Sequence, residues 1–472
     1  MTRRPGDRQR EPGLLFSAMQ NDAPSIDLTP TARSVAMDRI AKKAEQFPEL
    51  PFDTMPPQGL DPRDAALAHA IETIVTRRWL TLVAIIESRL TRPWSRVEAT
   101  LQAALLAGSA QLLFMDRLPD HAVVDESVAW AKRKRGPKAG GFVNAVLRKV
   151  IALRAEMLDR PSAPFATRRD ELPLSDGRAW RLNEDVFSAE SVDRVRQIGS
   201  VGRELFLHWM AAHGFNTARQ LAEHGLVDAP TLLTGLPDAL ANDPRFLRHD
   251  VPGSFVFNGD HAELMGEFER HPSLRIQDPA SGDPVRAAKE AGLAPKRVID
   301  FCAGRGTKTV QLAQAFPDAE IVASDPDLDR AKDLANAARR FANIVVSTPA
   351  KLPAFFRSGD LVVLDVPCSN TAVLPRRPEA SYRFSTRRLE KLIDKQREVV
   401  TGAMPLLAPN GFVLYATCSL EPTENARQAD AIRKRFTFHA RGERQRFPTG
   451  VPGDAATKYS DGGFWALMQA KA

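Results

Sequence analysis

Two cysteines each come directly after an apolar run of the kind that forms a buried strand. Cys368 lies in Asp-Val-Pro-Cys-Ser at residues 365–369, and Cys418 lies in Thr-Cys-Ser at residues 417–419. A lone cysteine is more often a small buried residue than a nucleophile. Two cysteines that each follow a strand and precede a serine argue against that interpretation. Because ligands of open α/β sheets bind outside the carboxyl ends of the strands, both thiols are predicted to face one ligand site, with Asp365 beside them.

Thiol chemistry at such a site suits a pyrimidine base. A thiolate is a strong nucleophile, and C6 of a pyrimidine ring is electrophilic. Attack at C6 makes C5 carbanion-like, so that C5 can take a methyl group from a sulfonium donor. The reaction needs a nucleophile, a proton donor for the ring and a means of releasing the enzyme. The side chains of Cys368, Cys418 and Asp365 have the chemistry for these three roles.

A glycine-containing turn follows another predicted strand. The run Asp-Phe-Cys-Ala-Gly-Arg-Gly-Thr-Lys-Thr at residues 300–309 joins a strand to a helix, where glycines let the backbone approach a ligand. It is not a P-loop, and Thr309 stands where the third glycine of G-x-G-x-x-G belongs. The next predicted strand ends at Asp325, whose carboxylate suits ribose hydroxyls. The turn and Asp325 together favour a nucleoside-containing cofactor over a plain turn with a capping aspartate.

Strands and helices alternate around these motifs, over residues 276–472. Short apolar runs predict strands, and amphipathic segments between them predict helices. The predicted strands are residues 298–301, 321–324, 344–347, 361–364 and 412–416, and the predicted helices are residues 309–316, 328–341 and 385–407. This alternation is typical of a doubly wound sheet with a mainly parallel core.

The preceding part of the chain has a different texture. Residues 1–60 are rich in proline and charge and are predicted to be a disordered extension, with a short helix near residues 36–47. Residues 61–156 repeat apolar side chains at helical spacing, which predicts an all-helical domain. Residues 157–199 are predicted to be a linker, and residues 200–275 a small mixed subdomain.

Composition limits the class of protein. The chain has 472 residues, 43% of them hydrophobic, which excludes disorder over its full length. No apolar stretch approaches the ~18 residues that span a bilayer, and no signal-like run follows the N-terminal arginines, so we expect a cytoplasmic protein without a membrane partner. Three widely spaced cysteines exclude a disulfide scaffold and a zinc cluster, and no metal is predicted. The net charge of +7 is compatible with a polyanionic partner.

Two basic stretches are predicted to contact RNA. Either run alone would be interpreted as a solvated face, but beside a candidate pyrimidine site we favour phosphate contact. The aromatic residues Tyr382 and Phe384 lie within the second stretch and are predicted to stack on bases. The predicted RNA-binding residues are Lys132, Arg133, Lys134, Arg135 and Lys138 in the helical domain, and Arg376, Arg377 and Arg383 after the Cys368 motif.

Taken in order, these motifs resemble the NOL1/NOP2/Sun family of RNA 5-methylcytosine methyltransferases. Two segments of the helical domain, residues 118–128 and 142–148, resemble the NusB-like RNA-binding domain, and the combination resembles bacterial 16S rRNA cytosine methyltransferases. The resemblance covers residues 61–156 and 200–472. It implies an all-α NusB-like domain followed by an α/β Rossmann-like domain that uses S-adenosylmethionine. The family motifs lie at residues 277–281 (Gln-Asp-Pro-Ala-Ser), 300–309, 365–369 and 417–419, the last followed by Glu424-Asn425.

The resemblance also implies roles for individual residues. Cys418 is the nucleophile that attacks C6, and Cys368 assists release of the enzyme after methyl transfer. Asp365 contacts or protonates the cytosine ring near N3, and Lys308 approaches both substrate and cofactor. The substrate implied is RNA, with 16S rRNA favoured. The residues implied for S-adenosylmethionine are Cys302, Ala303, Gly304, Arg305, Gly306, Lys308, Asp325 and Asp365.

Some positions depart from the family pattern. Arg305 replaces a proline of the cofactor loop, and Asn370 and Ala372 stand where glycines often follow Pro-Cys-Ser. No aspartate follows the third predicted strand at residues 347–350, so the adenine contact has no candidate. These changes motivate a second hypothesis, a non-catalytic RNA-binding or ribosome-assembly factor that keeps the fold. A third, a DNA cytosine methyltransferase in which the Pro-Cys thiol attacks, is disfavoured by the Thr-Cys-Ser motif and the NusB-like segments.

Overall fold

The N-terminal part of the chain is a bundle of six helices built around one buried helix. A computed structural model describes residues 30–51 and 57–471 of the chain. The fourth helix is buried along most of its length, and the other five pack around it. Its Gly108 allows a close approach to the sixth helix, because a Cβ there would meet Leu147 Cδ1 at 2.7 Å. The helices are α1 (Ala32–Gln46), α2 (Pro62–Arg77), α3 (Trp79–Glu87), α4 (Ala99–Phe114), α5 (Asp120–Arg135) and α6 (Pro137–Leu153).

Helix α1 corrects the predicted extent of the helical domain. It begins at a capping box in which Thr31 and Ser34 satisfy each other's backbone N–H groups. Its apolar side, including Met37 and Ile40, is fully buried in the same core as α4. The short helix predicted near residues 36–47 is present as part of α1, but the prediction that the residues around it form a disordered extension is wrong for the rest of residues 30–51. Residues 1–29 and 52–56 of that segment lie outside the described residues. Residues 57–60 are described and lead into α2.

The predicted linker at residues 157–199 carries secondary structure. A three-stranded antiparallel sheet of order β1-β3-β2 packs against the helices, and three further helices follow it. Its strands escape a sequence prediction because each is three to five residues long, too short to show a period. The elements are β1 (Arg154–Leu158), β2 (Glu171–Pro173), β3 (Ala179–Leu182), α7 (Ser191–Gly199), α8 (Arg203–His213) and α9 (Phe215–His224).

A small mixed unit lies between these helices and the large sheet. It has a four-stranded sheet of order β5-β6-β4-β7 with one helix packed on it. This unit begins only at residue 231, whereas helices α8 and α9, in the first part of the predicted subdomain at residues 200–275, pack into the core of the helical bundle. Its elements are β4 (Thr231–Thr234), β5 (Phe246–Arg248), β6 (Ser254–Phe257), α10 (His261–Arg270) and β7 (Arg275–Ile276).

The C-terminal part is a seven-stranded sheet with helices on both faces. The strand order is β10-β9-β8-β11-β12-β14-β13; β8 to β12 pair in parallel, and β14 runs antiparallel to β12 and β13. All five predicted strands are present, which confirms the Rossmann-like α/β fold class. The elements are α11 (Pro279–Glu290), β8 (Arg297–Asp300), α12 (Thr307–Ala315), β9 (Glu320–Ala323), α13 (Leu328–Ala338), β10 (Ile344–Val346), β11 (Gly359–Asp365), α14 (Glu379–Arg383), α15 (Thr386–Ala403), β12 (Leu407–Thr417), α16 (Ala426–Phe436), β13 (Phe438–Arg446) and β14 (Gly463–Ala470).

The register of the three central strands brings the predicted site residues to one edge. Strand β11 lies between β8 and β12, with Val363 opposite Asp300 and Asp365 opposite Ala416. The strands are apolar because both faces of the sheet are covered, and Leu361 to Leu364 are fully buried. The chain therefore leaves the sheet at Asp300, Asp365 and Thr417 within one small region.

The loop after β11 also joins the helical bundle to the sheet. Ala372, Leu374, Tyr382 and Phe384 belong to the same apolar core as helices α1 to α9. The segment that follows Cys368 is thus fixed by packing from both parts of the molecule. Within residues 30–51 and 57–471, no helix has both the length and the apolar character needed to span a bilayer.

Candidate active site

The two cysteine thiols lie against each other at the carboxyl ends of β11 and β12. Cys368 Sγ and Cys418 Sγ are 3.2 Å apart, and Cys418 donates its S–H to Asn370 Oδ1 at 3.0 Å. Cys368 is buried, whereas Cys418 is partly exposed. The prediction that both thiols reach one site rests only on their positions directly after two strands. In the structure the two thiols are in direct contact.

Asn370 connects the two cysteine loops. Its φ of 60° lies in the left-handed region, which asparagine tolerates better than most residues. Its side-chain amide N–H donates to the Cys368 carbonyl at 3.1 Å, while its side-chain oxygen accepts from Cys418. Asn370 therefore adopts a backbone conformation that glycine favours and contacts both cysteines. Sequence reasoning identifies it only as a departure.

Lys308 and Asp365 form an ion pair beside the thiols. Lys308 Nζ donates to Asp365 Oδ2 at 2.7 Å and to Ser281 Oγ at 3.2 Å. Burial lowers the pKa of Lys308, but the charge and hydrogen bond of Asp365, together with electrostatic interactions with Cys418 and Asp300, outweigh burial, so its pKa lies above the ordinary value. Lys308 is therefore a fixed cation at the site. Ser281, from the Gln-Asp-Pro-Ala-Ser segment, is a contact that sequence reasoning does not assign.

The glycine turn leads from β8 into α12 along the same edge. Gly304 and Gly306 have φ values of 57° and 94°, and a Cβ at Gly306 would meet Leu334 Cδ1 at 3.0 Å. Gly306 caps α12 without a side-chain hydrogen bond, so the first N–H groups of the helix are not covered by a capping side chain. Such a helix start is suited to an anionic group such as a carboxylate.

Asp325 lies at the end of β9, next to this turn. Its carboxylate accepts from the backbone N–H of Gly304 at 2.9 Å and of Asp327 at 3.0 Å. The predicted cofactor residues on the two loops are therefore in contact. Arg305 extends away from the turn to pair with Asp333 on α13, which leaves the turn accessible. The turn, the uncovered helix start and Asp325 together fit a cofactor with a carboxylate at one end and a ribose at the other.

A second buried carboxylate, that of Asp300, lies at the end of β8, directly before the glycine turn. Asp300 accepts from Thr309 Oγ1 at 2.7 Å, and burial raises its pKa to about 7. Its other oxygen, Oδ1, is buried and accepts no hydrogen bond from the described residues. Cys302 lies two residues after Asp300 and is partly exposed. Burial and the charges of neighbouring carboxylates raise the pKa of its thiol. Neither group is placed to act as a nucleophile.

A cavity of about 350 Å³ opens beside Cys368. Its wall combines Cys368, Ser369 and Asn370 with guanidinium groups from three parts of the chain. Burial and the charges of neighbouring arginines lower the pKa of Arg383. Mutual repulsion of this kind favours an anionic partner. The arginines that line the cavity are Arg330, Arg377, Arg383 and Arg388.

Arg376 occupies a different environment from the one predicted for it. Its Nε lies 2.7 Å from Asp461 Oδ2, its Nη2 lies 3.6 Å from Asp278 Oδ2, and it donates to the Pro230 carbonyl at 3.1 Å. Its guanidinium also lies over the Tyr459 ring. The prediction that Arg376 contacts RNA is therefore not supported, because its donors hold the Cys368 loop to two carboxylates inside the protein.

Replacing Arg376 with alanine is expected to destabilise the protein. Asp278 and Asp461 are both buried, and their charges would lose the shared partner. Removing one partner of a fully buried pair typically costs about 3–5 kcal/mol, and we expect about 2 kcal/mol here because the side chain is about one third exposed. Urea unfolding measures this loss. Arg387→Ala, which removes an exposed arginine on α15, is the matched control and should change the free energy of unfolding by less than about 0.5 kcal/mol.

Tyr382 does not line the cavity, and Phe384 lines it only as a buried ring, not as the exposed ring that base stacking needs. Tyr382 is buried, with its hydroxyl 2.8 Å from Ser200 Oγ and donating to the Thr76 carbonyl at 2.8 Å. Phe384 is also buried and packs edge-on against His208. The prediction that these rings stack on RNA bases is wrong, because both belong to the core that joins the bundle to the sheet.

The basic residues of the helical domain lie at the exposed end of α5. Cations are favoured in the last turn of a helix, so part of this pattern is structural. Lys134 pairs with Asp38 and Arg135 with Glu98, all on the surface. The other members of this exposed cluster are Lys132, Arg133 and Lys138.

Known proteins share both parts of this architecture. Residues 292–450 match a family model described as 16S rRNA methyltransferase RsmB/F, and residues 31–152 match the NusB family. The chain is 28% identical over 388 residues to ribosomal RNA small subunit methyltransferase B of Vibrio cholerae, covering 80% of this chain and 83% of that protein. It is 26% identical over 435 residues to the protein of the same name from Salmonella arizonae, covering 89% and 92%.

A solved structure shares the fold over most of the chain. The crystal structure of PH0851 superposes with a TM-score of 0.63 at 16% identity, covering 93% of this chain and 99% of that one. The sequence matches confirm the family resemblance that the motifs carried. Residues 292–450 are therefore similar to the 16S rRNA methyltransferase RsmB/F family, and residues 31–152 to the NusB family.

Proposed function

We propose that this protein transfers a methyl group from S-adenosylmethionine to C5 of a cytosine in 16S rRNA. The observation that carries the proposal is the pair of thiols 3.2 Å apart at the ends of β11 and β12. The Lys308–Asp365 ion pair at the same edge supports it. Similarity to an rRNA methyltransferase family favours the reaction class, and the two thiols favour cytosine C5 as the acceptor.

The glycine turn and its neighbours would hold S-adenosylmethionine, which supplies an electrophilic methyl group on a sulfonium. Asp325 would bind the ribose, and the start of α12 would bind the carboxylate of the methionine end. Residues 302–306 would line the path between them. Lys308 and Asp365 lie on the substrate side of this path and orient the base.

Cys418 is proposed to attack C6 of the cytosine ring. The proton of the Cys418 thiol passes to the Asp365 carboxylate, directly or through water, as a new S–C6 bond forms and the ring electrons move toward C5 and N3. Asp365 gives this proton to N3, where negative charge would otherwise develop. C5 would then take the methyl group as the bond between that group and the sulfonium sulfur breaks, and the donor would leave as a neutral thioether.

Cys368 is proposed to assist release of the enzyme. The C5 proton passes to water, N3 returns its proton to Asp365, the C5–C6 double bond re-forms, and the electron pair of the S–C6 bond returns to Cys418. Cys368, in hydrogen-bond contact with Cys418 Sγ, can donate its S–H to that sulfur as the bond breaks. This division of roles uses the burial of Cys368 and the partial exposure of Cys418.

The target nucleotide must leave its stack to reach the thiols. Chemistry on a base requires a single-stranded or flipped nucleotide. The arginine-lined cavity beside Cys368 is placed to hold the phosphates that flank such a base. The exposed cluster on α5 is proposed as a second, more distant RNA contact.

Arg383→Ala is expected to weaken RNA binding without changing which cytosine is methylated. A lost phosphate contact lowers affinity for all sequences, and the slope of log affinity against log salt should become shallower by about 1. Filter binding of 16S rRNA fragments at salt concentrations from about 50 to about 200 mM measures both effects. Arg441→Ala, on edge strand β13, is the control and should leave the slope unchanged. An unchanged slope in Arg383→Ala would remove this residue from the proposed RNA surface.

The reaction is tested by transfer of a labelled methyl group from S-adenosylmethionine to unmodified 16S rRNA, with the product base mapped. Label at C5 of one cytosine is expected. RNA binding without transfer, on both naked rRNA and partly assembled small subunits, would instead favour the non-catalytic factor. Label at another base would contradict the thiol mechanism.

A further inference from the structure

A buried carboxylate holds the loop that carries Cys368. Glu424 is fully buried, and its side chain accepts from the Ser369 backbone N–H at 3.0 Å and from Gln396 Nε2 at 2.9 Å. The Ser369 hydroxyl donates to it as well. Burial raises the pKa of Glu424, but all three groups donate to it, which is the environment of an ionised carboxylate.

The next residue holds the loop that carries Cys418. Asn425 accepts from Thr417 Oγ1 at 2.6 Å and donates to the Ser419 carbonyl at 2.8 Å. The two loops also meet directly, since the hydroxyls of Ser369 and Ser419 are 3.0 Å apart. One short turn after β12 therefore fixes the separation of the two thiols.

The two thiols are held in unequal surroundings. The hydrogen bond to Cys418, burial and the negative charge of Glu424 all raise the pKa of Cys368 well above its ordinary value. Cys418 instead donates to the neutral Asn370 and interacts electrostatically with the Lys308 ammonium. Glu424, which accepts from the backbone N–H of the residue after Cys368, therefore acts on Cys368.

We propose that Glu424 is a positioning residue that keeps Cys368 as a thiol, so that Cys418 and not Cys368 attacks the base. The consequence for catalysis rests on the proposed function. Two thiols in contact present two candidate nucleophiles, and a negative charge beside one of them disfavours its thiolate. A protonated Cys368 is also the form that can donate to the departing Cys418 sulfur.

The test measures the thiol itself and needs neither cofactor nor RNA. In a Cys418→Ser parent, alkylation of Cys368 by iodoacetamide is followed against pH by mass spectrometry. Adding Glu424→Gln should lower the midpoint of the alkylation profile by about one pH unit, because a nearby negative charge is lost. Adding Glu424→Asp, which keeps the charge, should leave the midpoint close to that of the parent.

Because every variant is made in the same Cys418→Ser parent, the other titratable groups around Cys368 are the same in all of them. Tyr415 and Glu424 face Cys368 inside the protein, and the arginines of the cavity face it from outside. Glu421→Gln is the matched control, since it removes another buried carboxylate three residues away. Glu424 is among the groups that act most strongly on the pKa of Cys368 and Glu421 is not, so replacing Glu421 should barely move the midpoint.

The outcomes separate this proposal from the proposed function. A folded Glu424→Gln variant with an unchanged midpoint would overturn the proposal even if the enzyme methylates RNA. If Glu424→Gln loses the unfolding transition of its parent, Glu424→Asp decides, and a midpoint lowered by that variant too would show a packing effect only. In the otherwise unaltered chain, Glu424→Gln should lower kcat by about 10-fold with an unchanged KM for RNA.

Discussion

Cys418→Ala is expected to abolish methyl transfer to cytosine. The substitution removes the thiol proposed to form the bond to C6, and its neighbour Cys368 is not expected to replace it, because Cys368 is buried and its pKa is raised well above the ordinary value. Loss of a covalent nucleophile typically costs at least about 10⁴-fold in rate. Transfer of labelled methyl groups to 16S rRNA, with the wild-type chain measured in parallel, gives the loss directly.

The same variant should keep its other properties. Cys418 is partly exposed and lies at the edge of the sheet rather than in its core, so the unfolding transition should stay near that of the wild-type chain. RNA binding should also persist, because the arginine-lined cavity is unchanged. If Cys418→Ala retained transfer while Cys368→Ala lost it, the roles of the two thiols would be reversed.

The sequence was sufficient to predict that the site residues at the ends of strands lie close together. Asp365, Cys368 and Cys418 each follow an apolar run, and parallel strands bring their carboxyl ends to one edge. The fold places them there because β8, β11 and β12 are adjacent. The order of the strands in the sheet does not follow from the apolar runs.

Partners that are distant in the chain could not be predicted. Arg376 lies in a basic run that resembles an RNA contact, yet its partner Asp461 is 85 residues away, at a position without any pattern. Tyr382 likewise looks like an exposed aromatic among charges, and only packing against the helical bundle shows that it is buried. A charge run gives the sign of a surface but does not say which of its members are already paired.

Supporting residues of the site were also beyond a sequence argument. Glu424 was visible as part of a motif, but its role depends on three donors that come from the Cys368 loop and from α15. The extent of helix α1 escapes prediction for a related reason. Its apolar residues have few partners within residues 30–51, and they become a core only when α4 packs against them.

Cys368→Ala is expected to give the opposite phenotype from Cys418→Ala. Attack at C6 and methyl transfer to C5 still proceed, but the S–C6 bond breaks slowly because no S–H lies next to the departing sulfur. A protein–RNA complex that survives denaturation should therefore accumulate in the presence of S-adenosylmethionine. Denaturing gel electrophoresis with labelled 16S rRNA measures it, and we expect most of the enzyme to be trapped after one turnover.

The control for trapping is the double variant Cys368→Ala/Cys418→Ala, which lacks the proposed nucleophile and should form no complex. Replacing the buried Cys368 can lower activity through misfolding alone. Misfolding cannot create a covalent bond between protein and RNA, so a trapped complex that requires Cys418 tests the proposed role directly. A complex that forms equally in the double variant would place the bond on another residue. Slow turnover without any trapped complex would mean that Cys368 acts before attack rather than after it, and the assignment of Cys368 to release would then be wrong.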